Sequence, residues 1–160
     1  MKTLSRLALA LLVALPLASA SADVVRPAPN FTWGSGKTLA SWKGQPVVLL
    51  IAPSPRSGAF LKQVHRIEAI YQEFAARNAV FVAAFTVDTP VQEIPGNFPL
   101  VIANNGQQIA ANYGFDGKFA LAVIGKDGNL DLNTAKVVPA SRIMDMILNN
   151  YEQQAAERKP

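Results

Sequence analysis

The sequence predicts an α/β fold in which helices cover both faces of a central mixed β-sheet. Two observations carry that expectation. Val47 to Ala52 (Val-Val-Leu-Leu-Ile-Ala) is an unbroken apolar run and Val80 to Val87 (Val-Phe-Val-Ala-Ala-Phe-Thr-Val) is apolar but for Thr86, both of the kind that form strands buried on both faces. Between them Phe60, Val64, Ile67, Tyr71 and Phe74 recur at helical spacing, with Leu61 and Ile70 beside that stripe. Strand, helix and strand in series imply a right-handed parallel crossover.

Composition supports a packed domain. Of 160 residues, 50% are hydrophobic and 16% charged, and the mean hydropathy is +0.17. That excludes a disordered chain. The absence of cysteine excludes disulfides, thiolate metal sites, iron–sulfur clusters, thiol catalysis and a lipid-modified cysteine anchor. A single histidine excludes a multi-histidine metal centre. No metal or other cofactor is expected, and no catalytic residue is assigned.

The elements follow in chain order. Residues 1–22 read as a secretory signal peptide. Lys2 and Arg6 supply the positive start, Leu7 to Leu17 the apolar stretch, and Ala18-Ser19-Ala20 and Ala20-Ser21-Ala22 two cleavage options. The apolar stretch is short for a membrane span, which takes about 20 residues. Residues 23–160 are then a single exported domain, periplasmic in a Gram-negative host and otherwise extracellular. Loss of the two leader cations reduces the formal charge from +4 to +2. That is no nucleic-acid footprint. No later run is apolar enough to cross a membrane.

Asp23 to Asn30 is an extended lead-in. Phe31 to Leu39 forms a hairpin turning at Gly34-Ser35-Gly36, and Trp42 to Pro46 a second turn. After the first central strand, Ser54 reads as a helix N-cap with Pro55 as the first helical residue; Ser57 is the other capping candidate. That helix runs to about Asn78, which suits a left-handed cap. After the second central strand, Thr89 to Pro99 is loop. Leu100 to Ile102 is a short strand, and Asn104 or Asn105 starts a helix ending at Gly114. Phe119 to Ile124 is a third central strand, Gly125 to Gly128 a hairpin turn, and Asn129 to Leu132 the return strand. Pro139 to about Gln154 is the last helix, and Glu152 to Pro160 a polar tail.

The order of these elements, together with several short motifs, resembles the thioredoxin-like fold in its redoxin and peroxiredoxin branch. Pro29-Asn30-Phe31-Thr32 followed by Gly36-Lys37-Thr38-Leu39 resembles the opening hairpin. Trp42 to Leu49 resembles the segment entering the first central strand. Phe98-Pro99-Leu100, Ile109 to Phe115 and Lys126-Asp127-Gly128 resemble later redoxin motifs. A closer likeness is to a cysteine-less thioredoxin-like family of unknown function, through Trp42-Lys43, Ala52-Pro53-Ser54 and Ile124 to Gly128, without that family's usual C-terminal ending. The resemblance implies a thioredoxin-like central mixed sheet flanked by helices, with its site at the turn after the first central strand. There the chain departs from the family. One alignment puts Pro55 and Gly58 at the two cysteine positions. A peroxiredoxin alignment brings the peroxidatic position near Phe60, with Ser57 near its threonine. The family's proline before the third strand falls near Lys118 and Phe119. Thiol exchange and peroxide reduction both need a thiolate.

The expected function is a non-catalytic module binding a peptide or protein on the former active-site face. The assigned residues are Ser54, Pro55, Arg56, Ser57, Lys118 and Phe119, where an exposed Phe119 would favour binding. One alternative is a small-anion site at Ser54, Arg56 and Ser57, with helix N–H groups, two hydroxyls and a guanidinium converging. Another is an accessory of a redox or peroxide-stress system acting with a partner's thiol. Other constellations weigh less. Gly34-Ser35-Gly36-Lys37-Thr38 resembles the end of a phosphate-binding loop, but Phe31 stands where its first glycine belongs. His65 is expected at the edge of the core, paired with Glu68. The acidic residues Asp88, Glu93, Asp116, Asp127 and Asp131 lack metal-loop spacing.

Overall fold

A computed structural model describes residues 26–87 and 93–157. The expected signal peptide and the residues 23–25 of the lead-in therefore lie outside the described residues, as does Asp88. The sheet has five strands in the order β5-β4-β3-β6-β7. They are β3 Val47–Ala52, β4 Val80–Phe85, β5 Val101–Ile102, β6 Ala120–Ile124 and β7 Leu130–Thr134. β3 and β4 are parallel with Val47 beside Val80, and β5 runs parallel to β4. β6 is antiparallel to β3, Ile51 facing Ala120, and β7 is antiparallel to β6. The predicted mixed sheet is present, with β3 at its centre. All six residues of β3 are buried, which explains why that run shows no alternation of apolar and polar residues.

Helices close both faces. Val48, Leu50 and Ala52 pack under Phe60, Val64 and Ile67 of α1 (Gly58–Glu68), Phe74 of α2 (Tyr71–Ala75), and Ile143, Met144 and Ile147 of α4 (Ala140–Glu157). Leu49 and Ile51 face the other way, toward Phe31, Tyr113, and Ile109 and Ala110 of α3 (Gly106–Asn112). Period-two alternation along β3 thus feeds two cores.

Four expectations on element boundaries need correction. The first helix starts at Gly58, not Pro55, because Ser54 to Ser57 form a tight turn. It is also interrupted: Ile70 leaves helical geometry at φ −131° and ψ 27°, so α1 and α2 are separate. The break accompanies packing of Tyr71 and Phe74 on Phe81, with ring centroids 6.1 and 5.3 Å away. β4 ends at Phe85, two residues early. α4 continues to Glu157, through the expected tail, along residues with good helix propensity (Gln, Ala and Glu). The left-handed Asn78 cap is as predicted, at φ 55°, with Ala79 N–H donating to the Phe74 carbonyl.

The lead-in and the opening hairpin lie at the sheet's two edges. β1 (Thr32–Trp33) and β2 (Lys37–Thr38) pair as expected. Trp33 bridges to Ala103, and Asn104 N–H donates to the Thr32 carbonyl, which ties the hairpin to the end of β5. At the other edge Pro27 stands opposite Asn129, with Leu130 N–H donating to the Arg26 carbonyl and Ala28 N–H to the Gly128 carbonyl. Pro27 occupies a position whose N–H would point away from the ladder, so its missing donor costs nothing.

Two buried polar side chains fasten distant segments. Gln63, fully buried on α1, donates from Nε2 to the Val138 carbonyl at 3.1 Å and accepts Val138 N–H at Oε1, 2.9 Å. Tyr113 donates its hydroxyl to the Pro29 carbonyl at 2.8 Å. Burial raises the Tyr113 pKa well above that of free tyrosine. The folded state therefore holds this proton where the unfolded chain releases it. Stability from this group is complete below about pH 10 and is lost as pH rises above that value. Tyr113→Phe should cost about 1 kcal/mol at neutral pH and flatten the alkaline fall. Urea unfolding across alkaline pH measures both; an unchanged alkaline slope in the variant would contradict the assignment.

Candidate functional site

The crest above the C-terminal ends of β3 and β4 carries the turn that the sequence singled out as a candidate site. Its scaffold is backbone. Thr86 N–H donates to the Ala52 carbonyl and Val87 N–H to the Pro53 carbonyl, both at 3.0 Å. These bonds continue the parallel pairing past the strand ends. Ser57 N–H and Ser57 Oγ both donate to the Ser54 carbonyl, at 3.2 and 3.0 Å. That turn delivers the chain into α1 with Ser57 at the N-cap. The Ser57 hydroxyl is spent on Ser54 and does not cap the helix N–H groups. Ser54 is not the cap, contrary to expectation: it serves as the acceptor that shapes the turn. Arg56 is exposed at the tip of this turn, with no ion pair among the described residues.

The segment before β6 approaches from the other side. The pairing of Ile51 with Ala120 brings Phe119 next to Ala52. The Thr86 hydroxyl donates to the Gly117 carbonyl at 3.1 Å, locking this segment to the end of β4. A Cβ on Gly117 would meet the Thr86 hydroxyl at 3.4 Å, and its φ of +88° also favours glycine. Lys118 is exposed and folds back on Asp116: its N–H donates to Oδ1 at 3.3 Å and its ammonium lies 3.6 Å from Oδ2. The Lys118 N–H, with its charge as a lesser cause, lowers the Asp116 pKa.

The structure thus brings Ser54, Pro55, Arg56, Ser57, Lys118 and Phe119 to one end of the sheet. Phe119 does not present its ring there. It is 7% exposed and belongs to the core shared by α1 and α4. Inward alternation from Ala120 explains this: residues 119, 121 and 123 share one face of β6. The apolar exposure that Phe119 was expected to supply comes from Val87, 50% exposed beside Pro53. The sequence hid this residue because it continues a core-like run. Beside it a polar cleft of about 750 Å³ opens between Thr86, Asn104 and Gly106.

The remaining constellations are structural. Gly34 to Thr38 is a hairpin, not the strand–loop–helix of a phosphate-binding loop. His65 projects into solvent, 3.8 Å from Glu68, so the pairing is present but the expected core cover is not. Glu68 accepts Asn97 N–H at 2.6 Å. Asp127 accepts two bonds from Asn129 in the hairpin turn. No cluster of three or more metal-ligating side chains occurs among the described residues, and no helix among them is long and apolar enough to cross a membrane.

No family model matches the sequence, and no curated protein matches it. Solved structures do. A protein assigned as thiol:disulfide interchange protein DsbE from Chlorobium tepidum superposes with a TM-score of 0.63 at 18% identity, over 79% of this chain and 96% of that chain. The mitochondrial 2-Cys peroxiredoxin of Plasmodium falciparum gives 0.62 at 17% identity, over 85% and 98%. Peroxidoxin BcpB from Mycobacterium tuberculosis gives 0.57 at 19% identity, over 81% and 96%. At such identities the likeness establishes the fold alone. The fold is thioredoxin-like, as the motifs implied, and this chain carries it without cysteine.

Proposed function

We propose that this thioredoxin-like chain is an exported, non-catalytic module that binds an extended peptide or protein segment across the crest. One observation supports the reading above others. Val87 is half exposed beside Pro53, at the foot of the turn whose tip carries Arg56, exposed and without an ion pair among the described residues, and that turn stands where the fold's thiols would be. Only Leu61 and Val87 are exposed large hydrophobics among the described residues. An apolar contact flanked by a guanidinium suits a segment with an apolar side chain next to a carboxylate. Export rests on the leader-like residues 1–22.

Immobilised full chain and an Arg56→Glu/Val87→Ser variant should be compared in pull-downs from the exported compartment. Both substitutions are at exposed positions, so matched melting curves check the fold. Capture by the native bait and loss by the variant is the expected result. Equal capture by both would move the interface off the crest.

The uncapped start of α1 favours a second reading, a small anion held by those N–H groups and Arg56. Sulfate would then raise the melting temperature in proportion to occupancy, and Arg56→Ala would abolish the rise.

A further inference from the structure

We propose that the end of the sheet opposite the crest holds a separate binding site, for a small apolar carboxylate of about the size of phenylacetate. The N-terminal end of β3 meets the C-terminal end of β6 there, Val47 facing Ile124. A pocket of about 270 Å³ opens above that pair. This lies just below the range of drug-sized ligand sites, which starts at about 300 Å³, and so suits only a small ligand. Val47 and Ile124, each 1% exposed, are its floor. Leu39, Trp42 and Ala28 are its walls, all half-buried.

Backbone bonds hold the walls in place. Gly44 N–H donates to the Lys126 carbonyl at 3.2 Å, joining the turn after Trp42 to the hairpin between β6 and β7. Ala28 N–H donates to the Gly128 carbonyl at 3.0 Å, bringing in the lead-in. Trp42 is further fixed by stacking on Trp33, with centroids 4.4 Å apart and planes within 9°. The cup is therefore set by the fold and presents a rigid aromatic wall.

Its mouth offers the cation of Lys43. Lys43 is exposed there and makes no ion pair among the described residues. Lys126 shares the rim. The one carboxylate, Asp127, has both oxygens engaged by Asn129. An apolar body in the cup releases water from Leu39 and Trp42, while a carboxylate head stays at the rim beside Lys43. A neutral or cationic head gains no such pairing.

Trp33 and Trp42 are the chain's two tryptophans, so intrinsic fluorescence reports this site. Titrating the full chain with phenylacetate should give a saturable change, with Kd about a millimolar or tighter. Phenylacetamide, the neutral isostere, should bind several-fold more weakly. Lys43→Ala should weaken phenylacetate about threefold and leave the amide unchanged. Ala28→Leu should abolish both responses; Ala40→Phe, at an exposed wall position, repeats that test if the first variant fails to fold. The crest variant Arg56→Glu/Val87→Ser should bind phenylacetate normally, which separates this site from the proposed function. No saturation up to about 10 mM overturns the proposal, as does equal binding of acid and amide.

Discussion

Gly106→Ala should lower the stability of the fold by about 3 kcal/mol, toward the upper end of the cost of forcing atoms into a packed site. Helix propensity alone predicts the opposite sign, because alanine is favoured over glycine by about 1 kcal/mol inside a helix. The structure decides between them. α3 starts directly against the last residue of β4. A Cβ on Gly106 would press into the Phe85 carbonyl and stand 2.9 Å from the Phe85 nitrogen. That backbone belongs to the central sheet and cannot retreat. The helix must move instead, and with it the buried Ile109 and Ala110. Gly58→Ala is the control. Nothing lies within 4 Å of a Cβ there, so this variant should be neutral or stabilised by up to about 1 kcal/mol. Denaturant midpoints at fixed m-value report both. A Gly106→Ala protein as stable as the parent would contradict the contact.

Gln63→Ala should cost about 4 kcal/mol. It removes a fully buried side chain and strands both the N–H and the carbonyl of Val138 inside the protein. Gln63→Leu restores much of the volume but not the two bonds, and should still cost about 2 kcal/mol. The difference between these variants isolates the hydrogen bonds from the packing. Hydrogen exchange adds a local readout, since the Val138 amide should lose protection in both. A Gln63→Leu protein that matched the parent would show the amide to be mere filler.

Much of the architecture was legible because β3, β4 and the stripe from Phe60 to Phe74 have strong, distinct periodicities. Turn residues placed the hairpins at Gly34 to Gly36 and Gly125 to Gly128 correctly. What escaped was decided by tertiary contacts. The interruption at Ile70 has no local breaker such as proline or glycine. Ser54 satisfies the usual description of a cap, yet its carbonyl, not its side chain, organises the turn. Gln63 reads as a surface residue in a helix, and its partner lies 75 residues away. The candidate site was legible in location but not in surface. Residue identity cannot tell that Phe119 points inward while Val87, at the end of a core-like run, points out.

β3 carries one further consequence, for the newly made chain. Its six residues, Val-Val-Leu-Leu-Ile-Ala, bear no charge, glycine or proline, the composition that favours self-association of extended segments. Its neighbour β4 follows soon in the sequence, but β6, which closes its other edge, arrives late. Until then the stickiest segment of the protein has an open side. Pro46 and Pro53 bracket it on both ends. Neither can donate to an adjoining strand, so they act as gatekeepers that limit how far an intermolecular ladder can spread. The same six residues that anchor the finished sheet are thus the ones the chain must shield from other copies of itself while it is incomplete.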